Sequence, residues 1–260
     1  MALELVGLTQ VFGGVCAVQD LSFRVAVGEC VALIGPNGAG KSTTFACIAG
    51  QQVPRAGSVR WRGLALTALT PAQRLQHGVV RTFQQTQSFE TLSALQSVQL
   101  LLRSGTAALR AFDVLDDYAS DQAMDLLGRV GLGAAAQQRV ASLPYGARKR
   151  LELAQALAGA HGQSGPVLLL LDEPAAGLSK SERASLMQLV RSMARSQNAL
   201  AVLFTEHHMD VVFDVADRVL VLVDGRLIAQ GSPAEVAAHG AVRSRYLGAS
   251  FSYAAGAPHA

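Results

Sequence analysis

Eight consecutive residues, Gly35-Pro36-Asn37-Gly38-Ala39-Gly40-Lys41-Ser42, have the types and spacing of a phosphate cradle, G-x-x-x-x-G-K-[ST]. The glycines let backbone amides close around an anion, and the helix that follows adds partial positive charge at its start. At this spacing Lys41 pairs with the β- and γ-phosphates of a nucleotide, and the Ser42 hydroxyl sits on Mg²⁺. Far downstream, the strand-like run Val167 to Leu171 ends in Asp172-Glu173. A carboxylate at the end of a buried strand beside a phosphate loop can hold Mg²⁺ through water. The next one, Glu173, is placed to take a proton from an attacking water. Either motif alone has a bland explanation; both in one α/β chain point to hydrolysis of a nucleoside triphosphate.

That chemistry leaves the stretch LPYGARKRLELAQAL, residues 143 to 157, unexplained. A turn with Gly146 at its core runs into a helix whose Leu151, Ala154, Leu157 and Ala158 share one apolar face. The free amides of such a helix start suit an anion, so the chain carries two cradles.

The elements that must position these residues follow from the pattern. Leu3 to Leu33 reads as short strands broken at Gly13-Gly14 and Gly28-Glu29, with Val31 to Ile34 a buried strand ending at Gly35. Lys41 to Ala49 reads as a helix stopped by Gly50, and Thr70-Pro71 as a helix start. Further strands are expected at Ser58 to Trp61, Val79 to Phe83, Val167 to Leu171, Ala199 to Thr205 and Val219 to Val223. Asp224-Gly225 marks a hairpin. From Ser93 to Ala158 the pattern is helical, with Ser93 and Ser120 as caps. Alternating strands and helices predict a mainly parallel sheet covered on both faces, with the helical stretch inserted into it.

Composition bounds the function. Of 260 residues half are hydrophobic and 16% charged, which excludes a disordered chain. The longest apolar stretches, Val167 to Leu171 and Ala199 to Phe204, fall far short of the ~18 residues of a membrane-spanning helix. The start, MALELVGL, predicts no signal peptide. A net charge of +3 with no dense Lys/Arg run excludes a nucleic-acid footprint; Arg148, Lys149 and Arg150, the tightest cluster, read as a solvated helix face. Cys16, Cys30 and Cys47 lack metal-ligand spacing and read as buried thiols of a reducing compartment.

With both motifs placed, the chain resembles the ATP-binding cassette family over nearly its whole length. That family carries a signature pentapeptide, Leu-Ser-Gly-Gly-Gln or similar, shortly before the second acidic motif. Here it stands as Leu143-Pro144-Tyr145-Gly146-Ala147. The resemblance implies a P-loop NTPase core, an N-terminal antiparallel β subdomain and an inserted helical subdomain. Residues 1–84 and 160–248 would form the core, 85–159 the helical part, and 249–260 a loose tail. In the family two cassettes pack head to tail, and each signature turn caps the ATP held by the other's loop. The second cradle then serves a partner's nucleotide.

The resemblance also implies individual roles. Phe12 stacks on adenine, and Gly35 through Ser42, with Thr43, bind ATP. Gln84 senses Mg²⁺ and the attacking water; His207, rather than its neighbour His208, contacts the γ-phosphate. Ser179, closing Ala175-Ala176-Gly177-Leu178-Ser179, stands where the family often has Asp. VFGG, RTFQ, LPYG, DEPAAGL and RYLG (Arg245 to Gly248) are similar to phrases of branched-chain, or hydrophobic, amino acid importers. Cassettes serving urea, short amides and aromatic acids look much alike. The implied setting is the cytoplasmic face of the plasma membrane, with two permease subunits, indirectly a solute-binding protein, and no nucleic acid. Pro144 lacks the signature serine's hydroxyl, which implies a second cassette that is not identical. Two other readings stay open, a soluble cassette ATPase without a permease and a kinase using the same loop.

Overall fold

The structure, a computed structural model, describes residues 2–82, 90–104, 119–162, 165–196 and 200–248. Strands β1 (Ala2–Phe12) and β2 (Val15–Ala26) alternate buried and exposed side chains over much of their length and form a hairpin around Gly13-Gly14. With β4 (Ala56–Trp61) and β5 (Leu64–Ala65) they build an antiparallel sheet in the order β2-β1-β4-β5.

The second sheet carries the chemistry. It contains β3 (Cys30–Ile34), β6 (Val79–Arg81), β7 (Val167–Asp172), β8 (Leu200–Thr205), β9 (Arg218–Val223) and β10 (Arg226–Gly231), in the order β10-β9-β3-β8-β7-β6. All neighbours pair parallel except β10 with β9. Every residue of β3 and β8 is buried, as a strand covered on both faces requires. Side-chain alternation splits the core in two. Ala32, Ile34, Leu169, Leu171, Val202 and Phe204 join one apolar cluster, and their neighbours Val31, Leu33, Leu168, Leu170, Ala201 and Leu203 join the other, beneath the antiparallel sheet. Strand β6 ends at Arg81, short of the expected Phe83, which lies outside the described residues.

Helices α1 (Lys41–Ala49), α2 (Pro71–Gln76), α3 (Ala94–Ser104), α4 (Ser120–Arg129), α5 (Tyr145–Gly159), α6 (Lys180–Arg195), α7 (Met209–Val215) and α8 (Pro233–Ala238) link and cover the strands. Thr70 and Gln73 form the capping box of α2, with Pro71 in the first turn. Ser93 exchanges the same bonds with Gln96 ahead of α3. Ser120 is not a cap: Ala119, at φ 49°, takes that place, and the Ser120 hydroxyl accepts from Gln99 Nε2 at 3.0 Å. A bond tying α4 to α3 has displaced the local one. Asp224 and Gly225, both at positive φ (50° and 74°), make the tight β9–β10 turn.

The thiols divide. Cys30 and Cys47 are buried, but Cys16, on the exposed side of β2, is not, which corrects the expectation for that residue. Burial pushes the Cys30 thiol up to about 12 and the Cys47 thiol up to about 11. A maleimide at neutral pH should therefore label Cys16 alone in the native chain and all three cysteines in denaturant. Native labelling of Cys30 or Cys47, read by peptide mass mapping, would show that the core opens around β3 or α1.

Candidate active site

Three strand ends meet at one edge of the parallel sheet, the place where open α/β sheets bind ligands. Strand β3 runs into the phosphate loop, β7 ends in Asp172, and β8 ends in Thr205, with Asp172 and Thr205 in direct register. Gly35 begins the loop at φ 149°, and a Cβ there would lie 1.9 Å from the Leu222 carbonyl oxygen, so only glycine fits against β9. The β9–β10 turn buttresses the loop through the Gly225 amide, which donates to the Ala39 carbonyl at 3.1 Å. Gly40 caps α1 with no side chain bonded to the helix start, which leaves the first amides for an anion.

Lys41 is 8% exposed, and its ammonium donates to the carbonyls of Gly35 (2.7 Å) and Pro36 (3.0 Å). Burial pulls it below the ordinary lysine range, while the carboxylates of Glu173 and Asp172 oppose that shift. Ser42, next to it, is exposed at the helix start. Asp172 is held on both oxygens. The Thr205 hydroxyl donates to Oδ1 at 2.8 Å, and Arg81 Nη2 donates to Oδ2 at 2.8 Å. Glu173 sits in the left-handed region at φ 49°, a conformation costing about 1–3 kcal/mol. Its amide donates to Thr205 Oγ1 (3.0 Å) and the Thr205 carbonyl (3.2 Å). Its Oε1 lies 2.6 Å from His207 Nε2. His208 points elsewhere, with Nδ1 3.5 Å from Glu206 Oε2. The structure thus brings Lys41, Asp172, Glu173 and His207 together. Phe12, at the end of β1, is 44% exposed rather than packed in the core. Gln84 lies outside the described residues.

The signature residues sit elsewhere. Leu143 is buried, Pro144 caps α5, and Tyr145 begins it. Gly146 lies in the first helical turn rather than at the core of a turn, because α5 already begins at Tyr145. A Cβ there would meet Glu182 Oε1 at 2.9 Å. Tyr145 is 50% exposed, and its hydroxyl donates to the Ala176 carbonyl at 3.2 Å. The basic trio is no solvated face. Lys149 is 6% exposed and pairs with Glu152 at 3.2 Å. Arg148 Nε donates to the Leu143 carbonyl at 3.1 Å, and Arg150 Nη2 donates to Ser185 Oγ at 2.8 Å. Arg150 fastens α5 to α6 and Arg148 ties its start to the preceding segment, while Lys149 pairs within α5; the long apolar stems tolerate the burial. Ser179 caps α6, its hydroxyl accepting from the Glu182 amide at 3.4 Å while its own amide donates to Glu182 Oε2 at 3.0 Å. A capping box here accounts for serine at this position.

Three contributors were not singled out from the sequence: Arg81, Thr205 and Glu206. Arg81 opens the phrase RTFQ, and Thr205 and Glu206 directly precede His207; that placement is the signal the sequence offers.

The sequence pattern of the ABC transporter family matches residues 18–176. Over 254 residues the chain is 35% identical to the high-affinity branched-chain amino acid transport ATP-binding protein LivG of Salmonella typhimurium, covering 95% of this chain and 97% of that one. It is 34% identical, with the same coverage, to the corresponding protein BraF of Pseudomonas aeruginosa. A crystal structure of the ADP conformation of an ATP-binding cassette of an ABC transporter superposes with a TM-score of 0.82 at 25% identity, covering 95% of this chain and 99% of that one. A phosphate loop, an acidic pair and a histidine at one sheet edge, in a chain matched over this length, identify it as a member of the ABC transporter family, an ATP-hydrolysing cassette.

Proposed function

We propose that this chain energises an importer of branched-chain or other hydrophobic amino acids. It would sit at the cytoplasmic face of the plasma membrane with two permease subunits, a second, non-identical cassette and, indirectly, a solute-binding protein. The carrying observation for the chemistry is the convergence of Lys41, Asp172, Glu173 and His207 at one sheet edge. For the cargo it is the end-to-end identity with LivG and BraF. No helix among the described residues is long and apolar enough to cross a membrane, so membrane contact would run through the permease. Residues 85–159 would form the helical subdomain facing it, within a cassette of residues 1–248.

In the proposed reaction the phosphate loop, Gly35 to Thr43, holds the ATP phosphates, and Phe12 stacks on the adenine. Lys41 leaves its two carbonyls for the β- and γ-phosphates. Glu173 accepts a proton from the attacking water as the water oxygen bonds to the γ-phosphorus. The bond from that phosphorus to the β–γ bridging oxygen breaks, and ADP leaves. His207, fixed on Glu173, holds the γ-phosphate, and Gln84 orients the water. The donor set of Ser42 hydroxyl, Asp172 carboxylate and Gln84 amide is all oxygen, which suits Mg²⁺. Asp172, already bonded to Arg81 and Thr205, would reach the metal through water. When bound, Mg²⁺ supplies charge neutralisation on the phosphates.

Lys41→Ala tests the nucleotide site. A hydrogen bond to a charged group is worth roughly 1.5–3 kcal/mol. Lys41 must give up two carbonyl bonds to make it, so the lower end applies and ATP affinity should fall about tenfold. Unchanged affinity and turnover would place the nucleotide elsewhere. Phosphate release without an acceptor separates this reading from a kinase. Co-purification with co-expressed permease separates it from a soluble cassette. Transport assays with amino acids, urea, amides and aromatic acids decide among the importer cargoes.

A further inference from the structure

Glu206 follows β8 directly and is 2% exposed, a carboxylate inside the protein. Burying such a group is costly unless its oxygens are bonded, and both are. Oε1 accepts from the Ala175 amide at 3.3 Å. Oε2 accepts from the His207 amide at 3.0 Å and lies 3.5 Å from both the amide and Nδ1 of His208. The two oxygens therefore grip two different loops. One carries Glu173-Pro174-Ala175, and the other carries His207.

These contacts close a ring. Glu173 meets His207 side chain to side chain at 2.6 Å. The His207 backbone is held by Glu206, Glu206 holds Ala175, and Ala175 is two residues from Glu173. Thr205 completes the clamp by bonding the amide of Glu173 and the carboxylate of Asp172. A neutral side chain has one acceptor at most to offer these two amides in this orientation, whereas an ionised carboxylate offers two.

We infer that Glu206 is a positioning residue for ATP hydrolysis, holding the Glu173–His207 pair in register by bonding both loops on which the pair rides. The inference rests on the roles proposed above for Glu173 and His207. Glu206→Gln tests it at constant volume. The glutamine keeps one acceptor and turns an amino group toward the other backbone N–H, so one loop is released.

The full chain is assayed with turnover normalised to bound ATP, so that an unfolded fraction does not count. The variant should lower kcat about tenfold, less than the ~10²-fold of a 1 Å misplacement, with KM for ATP changed by no more than about twofold. In a His207→Ala background the same substitution should cost less than about twofold more, because the geometry it protects is gone. Parent-like kcat in Glu206→Gln, or losses that multiply in the double variant, would overturn the inference. If neither Glu173→Gln nor His207→Ala slows hydrolysis, the site roles themselves fail. If both slow it and Glu206→Gln does not, the inference alone fails.

Discussion

Glu173→Gln is expected to bind ATP as the parent chain does and to turn it over ~10²–10⁴-fold more slowly. That loss corresponds to about 3–5 kcal/mol on the barrier. The structure favours a clean experiment. Glutamine has the shape of glutamate, and the backbone bonds that hold residue 173 at φ 49° come from Thr205 and do not involve the side chain. The amide can still meet His207 Nε2, now 2.6 Å from Glu173 Oε1. What is lost is the ability to take a proton from water, together with one negative charge near the γ-phosphate. ATP should therefore bind and persist, and ATP-bound dimers should accumulate. Single-turnover hydrolysis and retention of labelled ATP on gel filtration measure the two effects. Full activity in this variant would move the base elsewhere, with His207 the next candidate.

The site was readable in the sequence wherever its residues are close along the chain. Gly35 to Ser42 is a local device, since spacing alone brings the Lys41 ammonium, the loop and the start of α1 together. Asp172-Glu173 was readable because the buried run before it had to be a strand. The same reasoning failed where distant segments decide. Ser120 is a capable cap, but Gln99 on α3 takes its hydroxyl. Arg150 looks solvated until α6 brings Ser185 to it, 35 positions along the chain. Cys16 lies in an apolar stretch, yet β2 turns it outward. Thr205 and Glu206 bond residues more than thirty positions earlier, and the register of β7 with β8 makes those bonds possible. A signal at that range is in the sheet topology, not in the local pattern.

The signature stretch carries the remaining prediction. The family's signature serine gives a hydroxyl to the γ-phosphate of the opposite nucleotide, and Pro144 has neither hydroxyl nor amide hydrogen. Pro144 caps α5 without any side-chain bond, and the hydroxyl of Tyr145 is engaged by the Ala176 carbonyl of its own chain. The helix start and Gly146 remain, so this turn should cap a partner's ATP weakly, not fail altogether. A lost hydrogen bond to a charged group, roughly 1.5–3 kcal/mol, slows or loosens that site about ten- to a hundredfold. This chain's own loop keeps Lys41, Ser42, Asp172, Glu173 and His207, with Gln84 in its sequence. Beside a non-identical cassette whose signature retains the serine, most hydrolysis should therefore occur on this chain's loop. In the reconstituted transporter, Glu173→Gln should remove most of the ATPase activity, and the same change in the partner should leave most of it. Pro144→Ser should raise the rate at the partner's nucleotide by a factor of about ten to a hundred, the same bond restored. If the partner's glutamate proves the indispensable one, the asymmetry runs the other way. Robust hydrolysis and transport by a homodimer of this chain would leave no need for it.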